Sequence, residues 1–375
     1  MFSTIAAITD DEKDVLYRLR YEVFVVEQHK YKQTANHGDR MLRDHLDDVA
    51  EHLCLFHNDQ IIGSLRQVRG REHASDEMWR QFGLEDFAVF PDSFFGFSGR
   101  LMLPRTERGS LGLVNLLQTS YERGRTAGAV FDFIICNPHL VRLYEQLGYR
   151  RYKQHFFDPN HGYNVPMVFL ADDVPHLEDI RSPLLPVAQL WPSAPEISQW
   201  FHQRFPHNAA ITSAVTSPET FAKSVAEKIG GNKVQLLAEF SNDELHALIV
   251  ACTRLHVDAG ARLARQGDMG EELYLILEGN AEARVTDCDA ARQRVLGTFG
   301  RGDFFGELSV LSGNPRTSDV VATSDLDVLF FDRATLLKLM KRKPGLAAKL
   351  LLNIARIVAE RLHAPRQLSI AWKVT

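Results

Sequence analysis

The stretch FFGELSVLSGNPRTSDVVA, Phe304–Ala322, sets Glu307 and Arg316 among small and apolar residues. Arginine offers a planar fork of donors that fits phosphate, whereas a carboxylate is an acceptor that fits sugar hydroxyls. Gly306 lets backbone N–H groups come close, and Leu308 and Thr317 follow the two charges directly. A site of this make-up suits a sugar phosphate such as a cyclic nucleotide. The plainer alternative is a surface ion pair between Glu307 and Arg316, which would contribute little. That alternative leaves the surrounding glycine and proline pattern unexplained.

A second stretch, CNPHLVRLYEQLGYRRY, Cys136–Tyr152, opens with Asn137 and carries Tyr144. At helical spacing Leu140, Leu143, Tyr144 and Leu147 share one face, and taken by itself the phenol reads as a core residue with a wet hydroxyl. His45, His52 and His57 lie near an acidic run, but no HExxH or comparable spacing is present and no metal is expected. The cysteines 54, 136, 252 and 288 form no CxxC pair, which indicates neither a disulfide framework nor a zinc site.

The elements that must position these residues follow from periodicity. Asp10 to Gln28 reads as a helix, HLCLFHNDQIIGSLRQV as a hairpin turning at Asn58 and Asp59, and FFGFSGRLML as a strand. Leu111 to Gly124 reads as a helix, AVFDFIIC as a short strand, and Pro138 to Gly148 as a further helix. One mixed-sheet domain over 1–182 accounts for this order. Prolines 183, 186, 192, 195 and 206 then mark a connector over 183–233, whose later part has Ser217 and Pro218 as a helix start. From 234 to 375 a helix precedes short strands punctuated by glycines, and helical sequence returns from Arg333, which suggests a small β-barrel or jelly roll flanked by helices.

With 375 residues, 45% hydrophobic and 24% charged, the chain is globular and long enough for two or three domains. A formal net charge of -5 argues against a general nucleic-acid binder. The start, MFSTIAAITDDEKDVL, turns acidic before an apolar run reaches signal-peptide length, and no stretch approaches the ~20 apolar residues of a membrane span. The expected location is the cytoplasm.

The segments HVDAGARLARQGDMGEELYLILEGNAEARV and GRGDFFGELSVLSGNPRTSDVVA resemble the cyclic-nucleotide-binding domain family of catabolite activator proteins and kinase regulatory subunits. The likeness covers about Val234 to Leu362. It implies that Gly306 offers backbone N–H, Glu307 holds the ribose 2′-OH, Arg316 pairs with the cyclic phosphate, Thr317 contacts phosphate or base, and Leu308 belongs to the same cassette. The implied ligand is cAMP, with cGMP as the alternative. Only a few residues follow His363, so no DNA-binding helix-turn-helix is expected there. Trp372 in the tail would either stack on a bound base or pack on the domain surface.

The N-x6-Y-x3-G-[FY] pattern from Asn137 to Tyr149 resembles the last motif of the GNAT superfamily of N-acyltransferases, and LYRLRYEVFVVEQ, with Arg20 and Glu27, its first helix. DHLDDVAEHLCLFHNDQIIGSLRQV, with Asp44, Asp47 and Arg66, and SGRLML, with Arg100, are similar to the N-acyl amino acid synthase and acyl-homoserine-lactone synthase branch. Where the superfamily has R-x-x-G-x-G/A this chain has RTERGSLGL, so Arg105, Arg108, Gly109 and Gly112, with Asn137, are the implied donor-binding residues at an imperfect spacing. The branch's tryptophan after the first helix is absent. The resemblance makes Tyr144 the acid for the thiolate, Glu27, Asp44 and Asp47 the base or amine-orienting candidates, and Arg20, Arg66 and Arg100 holders of an acceptor carboxylate or organisers of the acidic cluster. The plainer alternative is a structural salt-bridge network among the same residues.

Together these readings give an α+β multidomain fold, a GNAT-like mixed sheet followed by a cyclic-nucleotide-binding β-barrel. The expected function is a cyclic-nucleotide-regulated N-acyltransferase, taking acyl groups from acyl-CoA or acyl-carrier protein. The acceptor is a small-molecule amine or a protein lysine, the second giving a cAMP-controlled protein-lysine acetyltransferase. The remaining alternative is a non-catalytic sensor with a degenerate transferase fold. Expected partners are the acyl-carrier protein and a second copy in a homodimer, with no DNA and no membrane span.

Overall fold

In the computed structural model of the chain, which describes residues 2–7, 9–28, 30–31, 33–104, 111–158, 162–206, 217–229, 234–286 and 293–363, a capping box starts the first helix. Thr9 Oγ1 accepts from Glu12 N at 3.2 Å, and a Glu12 carboxylate oxygen accepts from Thr9 N at 3.0 Å. This satisfies two end donors that would otherwise lack partners. Helix α1 (Asp10–Arg20) continues into a π-helical segment, Tyr21–Glu27, and buries Leu16, Tyr17 and Arg20. The chain forms two units, residues 1–216 and 217–375.

In the first unit, strand β1 (Phe2–Ala6) pairs with β2 (Glu51–His57), which turns into β3 (Gln60–Arg69). The turn residues Asn58 and Asp59 take φ of 49° and 62°, the left-handed backbone that a tight hairpin needs. After α2 (Asp76–Phe82) come β4 (Phe95–Met102), α3 (Leu111–Thr126), β5 (Phe131–Cys136) and α4 (Val141–Leu147). Strands β6 (Arg150–Arg151), β7 (Phe156–Asp158) and β8 (Gly162–Leu170) complete an eight-stranded sheet of order β1-β2-β3-β4-β5-β8-β6, with β7 also on β8. Among these pairings only β4 and β5 run parallel, and only from Phe95 to Phe97 against Phe131 to Phe133. Beyond that point the two strands part.

Alternation along β5 sorts its side chains to opposite faces. Phe131 and Phe133 join Phe82, Phe87, Phe95 and Phe97 in one aromatic core. Asp132 and Tyr149 instead line a cavity with residues of α3. Helices α5 (Val174–Asp179), α6 (Leu185–Ala188) and α7 (Pro195–Arg204) follow. The segment expected as a connector is thus partly helical, and Trp200 and Phe201 of α7 pack into the aromatic core.

The second unit opens with a helix, Pro218–Ile229, and another, Asn242–Ala251, started by a Ser241–Glu244 capping box. Strands β9 (Thr253–Val257), β10 (Arg262–Ala264), β11 (Glu272–Glu278), β12 (Ala281–Thr286), β13 (Gln293–Phe299), β14 (Phe304–Phe305), β15 (Asp319–Ala322) and β16 (Leu326–Asp332) follow. They form two four-stranded sheets, β10-β15-β12-β13 and β14-β11-β16-β9. Of the β-barrel or jelly roll expected from the strand spacing, the described strands thus form the two-sheet sandwich and no closed barrel. The two sheets bury residues such as Leu255, Leu273, Ala281, Ala283 and Val328. Helices Arg333–Arg342 and Pro344–His363 end the described chain. No helix among the described residues is long and apolar enough to cross a membrane.

Gly148, which ends α4 at φ +120°, tests this packing. A Cβ there would stand 2.4 Å from Leu177 Cδ2 and 2.8 Å from Phe169 Cε2. Gly148→Ala is expected to destabilise the N-terminal unit by about 2 to 4 kcal/mol in denaturant unfolding, from backbone strain added to the clash. A change within the error of the wild-type midpoint would contradict this.

Candidate functional sites

In the second unit the guanidinium of Arg316 is buried and lies in a bed made by two glycines. A Cβ at Gly270 would come 2.2 Å from Arg316 Nε, and one at Gly306 would come 2.6 Å from Nη1 and 2.4 Å from the Glu272 carbonyl. Any larger residue would expel the arginine. The backbone fixes its root, since Arg316 N donates to Asp268 O at 2.8 Å and Gly267 N donates to Arg316 O at 2.9 Å. Arg316 Nη2 donates to Glu272 Oε2 at 2.9 Å and Nη1 to Gly306 O at 3.2 Å, above the Tyr274 ring. Two of its donors are thereby placed, and the fork has others to offer a ligand.

Glu307 begins the short helix Glu307–Ser312 and is buried. Its ion-pair partner is Arg361, 3.6 Å away on the last helix, which also donates to Phe304 O and lies on the Phe304 ring. Arg316 pairs with Glu272, so the simple Glu307–Arg316 pair is not what forms. Thr317 and Leu308 are exposed beside the two charges. Glu272 and Arg361 were missed in the sequence. The glutamate opens an apolar strand, ELYLILE, and that charge at its head was the available signal.

In the first unit a chain of charges runs through the fold. Arg20 Nη1 meets Asp47 Oδ1 at 2.7 Å with both side chains fully buried. Arg66 Nη1 bridges Asp47 Oδ1 at 3.1 Å and Asp44 Oδ1 at 2.6 Å, and Arg100 Nη2 holds Asp44 Oδ2 at 2.6 Å. Burial alone would raise the carboxyl pKa values. The guanidiniums more than offset this, holding Asp44 and Asp47 well below the usual carboxylate range. Arg20 Nη2 lies 3.1 Å from His52 Nδ1. Since a guanidinium can only donate, that nitrogen accepts and Nε2 carries the proton. Burial and Arg20 lower the His52 pKa to about 4, so the ring is neutral at pH 7.

Arg100 is the residue by which β4 departs from regular pairing. Ser64 faces Met102 and Arg66 faces Gly99, so one residue of β3 stands against two of β4, a bulge with Arg100 at φ +54°. The bulge turns the Arg100 side chain onto Asp44 at the cost of a left-handed backbone. The Arg100 guanidinium lies over the Tyr31 ring at 4.1 Å, and Lys30 bonds Asn137, the residue after β5. Residues 30 and 31 therefore touch both arms where β4 and β5 part.

Tyr144 lies on the β5 side of the opening. It is buried, and burial raises its phenol pKa, so it is a protonated donor at neutral pH. Its ring meets Tyr149 edge-on at 5.2 Å, and the Tyr149 hydroxyl donates to Asp132 Oδ2 at 2.5 Å. Asp132 was missed as well, although a carboxylate inside FDFIIC was there to be read. Burial raises its pKa to about 6, with the Tyr149 hydrogen bond pulling the other way. Half-buried Glu27 ends the π-helical segment. Gly112 is buried where a Cβ would come 2.8 Å from Leu55 and 3.0 Å from Phe2, so it lets α3 approach the sheet. Arg105, Arg108 and Gly109 lie outside the described residues.

The raised pKa of Asp132 gives a stability test. As pH rises from the ordinary 3.8 towards about 6 the unfolded chain gives up this proton while the folded chain keeps it, so wild-type stability falls across that window. Asp132→Asn lacks this slope. It is expected to exceed wild type by about 1 to 3 kcal/mol in denaturant unfolding at pH 8, with the advantage fading towards pH 4. A difference independent of pH would contradict the assignment.

Residues 254–343 match the family model of the cyclic nucleotide-binding domain, and residues 19–110 that of the acetyltransferase (GNAT) domain. The cyclic AMP receptor protein of Thermus thermophilus is 34% identical over 104 residues, 28% of this chain and 46% of that protein. The cAMP-dependent protein kinase regulatory subunit of Blumeria graminis is 34% identical over 96 residues, 26% of this chain and 23% of that protein. Lysophospholipase NTE1 of Phaeosphaeria nodorum is 30% identical over 110 residues, 29% of this chain and 7% of that protein. The chain thus spans between 7% and 46% of the length of these curated relatives. The crystal structure of Thermus thermophilus catabolite activator protein is 29% identical and covers 34% of this chain and 58% of that chain, with a TM-score of 0.32. The chain carries a cyclic nucleotide-binding domain and a GNAT-type acetyltransferase domain.

Proposed function

We propose that the protein is an N-acyltransferase controlled by a cyclic nucleotide, moving an acyl group from a phosphopantetheine thioester to an amine that carries a carboxylate. The observation that carries the transferase reading is the opening between β4 and β5. It has a proton donor, Tyr144, on one side and the Arg66–Asp44–Arg100 cluster on the other.

Charge balance points to the acceptor. Around Asp44 and Asp47 stand Arg20, Arg66 and Arg100, three guanidiniums against two carboxylates, one positive charge in excess. Arg100 Nη1 is shielded from solvent and has no partner among the described residues. A buried donor of this kind calls for an acceptor. The carboxylate of an amino acid supplies one, and this agrees with the N-acyl amino acid synthase branch that the sequence resembles.

In the reaction the amine nitrogen attacks the thioester carbonyl carbon, a C–N bond forms, and the C–S bond breaks. The thiolate takes the proton of Tyr144, and the amine loses a proton to water or to Glu27. Asp44 is the more open of the two aspartates, with 28% of its side chain exposed against 0% for Asp47. Held ionised by two guanidiniums, it is a weak base and a good acceptor, and orients the amine. Acyl-CoA and acyl-carrier protein present the same pantetheine arm, so both are donors to test.

For the sensor, Arg316 takes the cyclic phosphate, Glu307 the ribose hydroxyl, Gly306 a backbone contact, and Leu308 and Thr317 flank the ligand. The names of the bacterial receptor and the kinase subunit favour cAMP over cGMP. A ribose hydroxyl on Glu307 competes with Arg361, which gives the ligand a hold on the last helix. Control then requires that two states of the protein differ in cAMP affinity.

Calorimetry with cAMP is expected to show saturable binding that weakens about a hundredfold or more in Arg316→Ala. Failure of both cAMP and cGMP to bind the wild type would remove the sensor. Thiol release from acyl-CoA or acyl-carrier protein, with an amino-acid panel as acceptors, is expected to fall about 10²-fold or more in Tyr144→Phe. An undiminished rate in that variant would take Tyr144 out of the chemistry, and no release with any donor and acceptor would reject the transferase.

A further inference from the structure

The N-terminal unit contains a cavity of about 50 Å³ beneath α3, walled by Leu117, Leu147 and Phe169, with Asp132, Tyr149, Arg69 and Arg125 in its polar lining. Strand register places it. Gly96 faces Asp132 in the last pair but one of β4 and β5, before the strands part beyond Phe97 and Phe133. The cavity therefore lies at the closed end of the opening in which the thioester is held. Asp132 belongs to both, since it lines the cavity and neighbours Ser98, the first residue of β4 past the last pair.

The polar atoms there are incompletely matched. Oδ2 of Asp132 accepts from the Tyr149 hydroxyl. Asp132 Oδ1 and Ser98 Oγ are shielded from solvent and have no well-aligned partner among the described residues, although Ser98 lies close enough to lower the Asp132 carboxyl pKa through hydrogen bonding. Building on the acyltransferase reading, we propose that this cavity takes the distal end of the donor's acyl group and selects short acyl groups that bear a hydroxyl.

The chemistry decides between chain types. An alkyl end would displace water from the carboxylate and give no hydrogen bond in return, which is unfavourable for a buried charged oxygen. A hydroxyl donates to Asp132 Oδ1. A keto oxygen only accepts, so it gives the carboxylate no further hydrogen bond. At neutral pH the Asp132 carboxyl, with its pKa of about 6, is mainly ionised and acts as an acceptor. The volume admits a few heavy atoms, so a four-carbon chain fits and an eight-carbon chain does not.

Calorimetry of the full chain with S-(3-hydroxybutyl)pantetheine, S-butylpantetheine and S-octylpantetheine tests the proposal without turnover. Wild type is expected to bind the hydroxybutyl probe at least about tenfold more tightly than the butyl probe, and the octyl probe most weakly. In Asp132→Leu the hydroxybutyl preference falls to within about twofold. Equal binding of the first two probes by wild type, binding of none of them, or a full preference kept in folded Asp132→Leu would overturn it. The wild-type comparison decides even if the variant does not fold. If the preference is found and thiol release fails with every donor and acceptor, the transferase reading falls while the selectivity of the cavity stands.

Discussion

The guanidinium of Arg20 has no access to solvent, and it meets Asp47 at 2.7 Å. Taking such a charge out of water is unfavourable by several kcal/mol, and removing its partner would cost about 3 to 5 kcal/mol. The local fold answers that demand. Asp47 comes from a short 3₁₀ turn, 45–48, whose own capping box ties Asp44 to Asp47, so one turn delivers both carboxylates. Arg66 then enters from β3 and Arg100 from the bulge in β4. Four elements, α1, the turn, β3 and β4, are held in register by one run of charge, at whose outer end Asp44 keeps 28% of its side chain exposed.

The C-terminal unit meets the same demand differently. Arg316 sits against Glu272, and glycines at 270 and 306 leave the space it fills. Arg316 pairs with a strand residue and not with Glu307, so the two charges are held apart. Among the described residues the ion-pair partner of Glu307 is Arg361 at 3.6 Å. Under the proposed sensor reading, the phosphate end is preorganised and the sugar end has a replaceable contact through which binding would reach the terminal helix.

Much of this was legible in the sequence because it depends on local rules. The Asn58–Asp59 hairpin, the strand FFGFSGRLML and the glycine that ends α4 follow from turn chemistry and alternation. The cassette residues Gly306, Glu307 and Arg316 lie within one short segment, so their type and order could be read directly. What was not legible depends on distant pairing. Glu272 precedes Arg316 by more than forty positions, and the parting of β4 from β5 exists only once strands far apart in sequence are set side by side. Asp132 reads as one charge in an apolar strand until α3 and Tyr149 close a cavity over it. Strand spacing left barrel and jelly roll as alternatives for the same reason, since it does not say whether edges meet.

The central claim is that occupancy near Arg316 governs acyl transfer near Tyr144. Its most direct test is the rate of thiol release, with a working donor and acceptor, measured across a cAMP titration. The expected result is a saturable change in rate whose midpoint matches the calorimetric cAMP affinity and which Arg316→Ala shifts to far higher concentration. A rate that stays constant while cAMP goes from absent to saturating would contradict it.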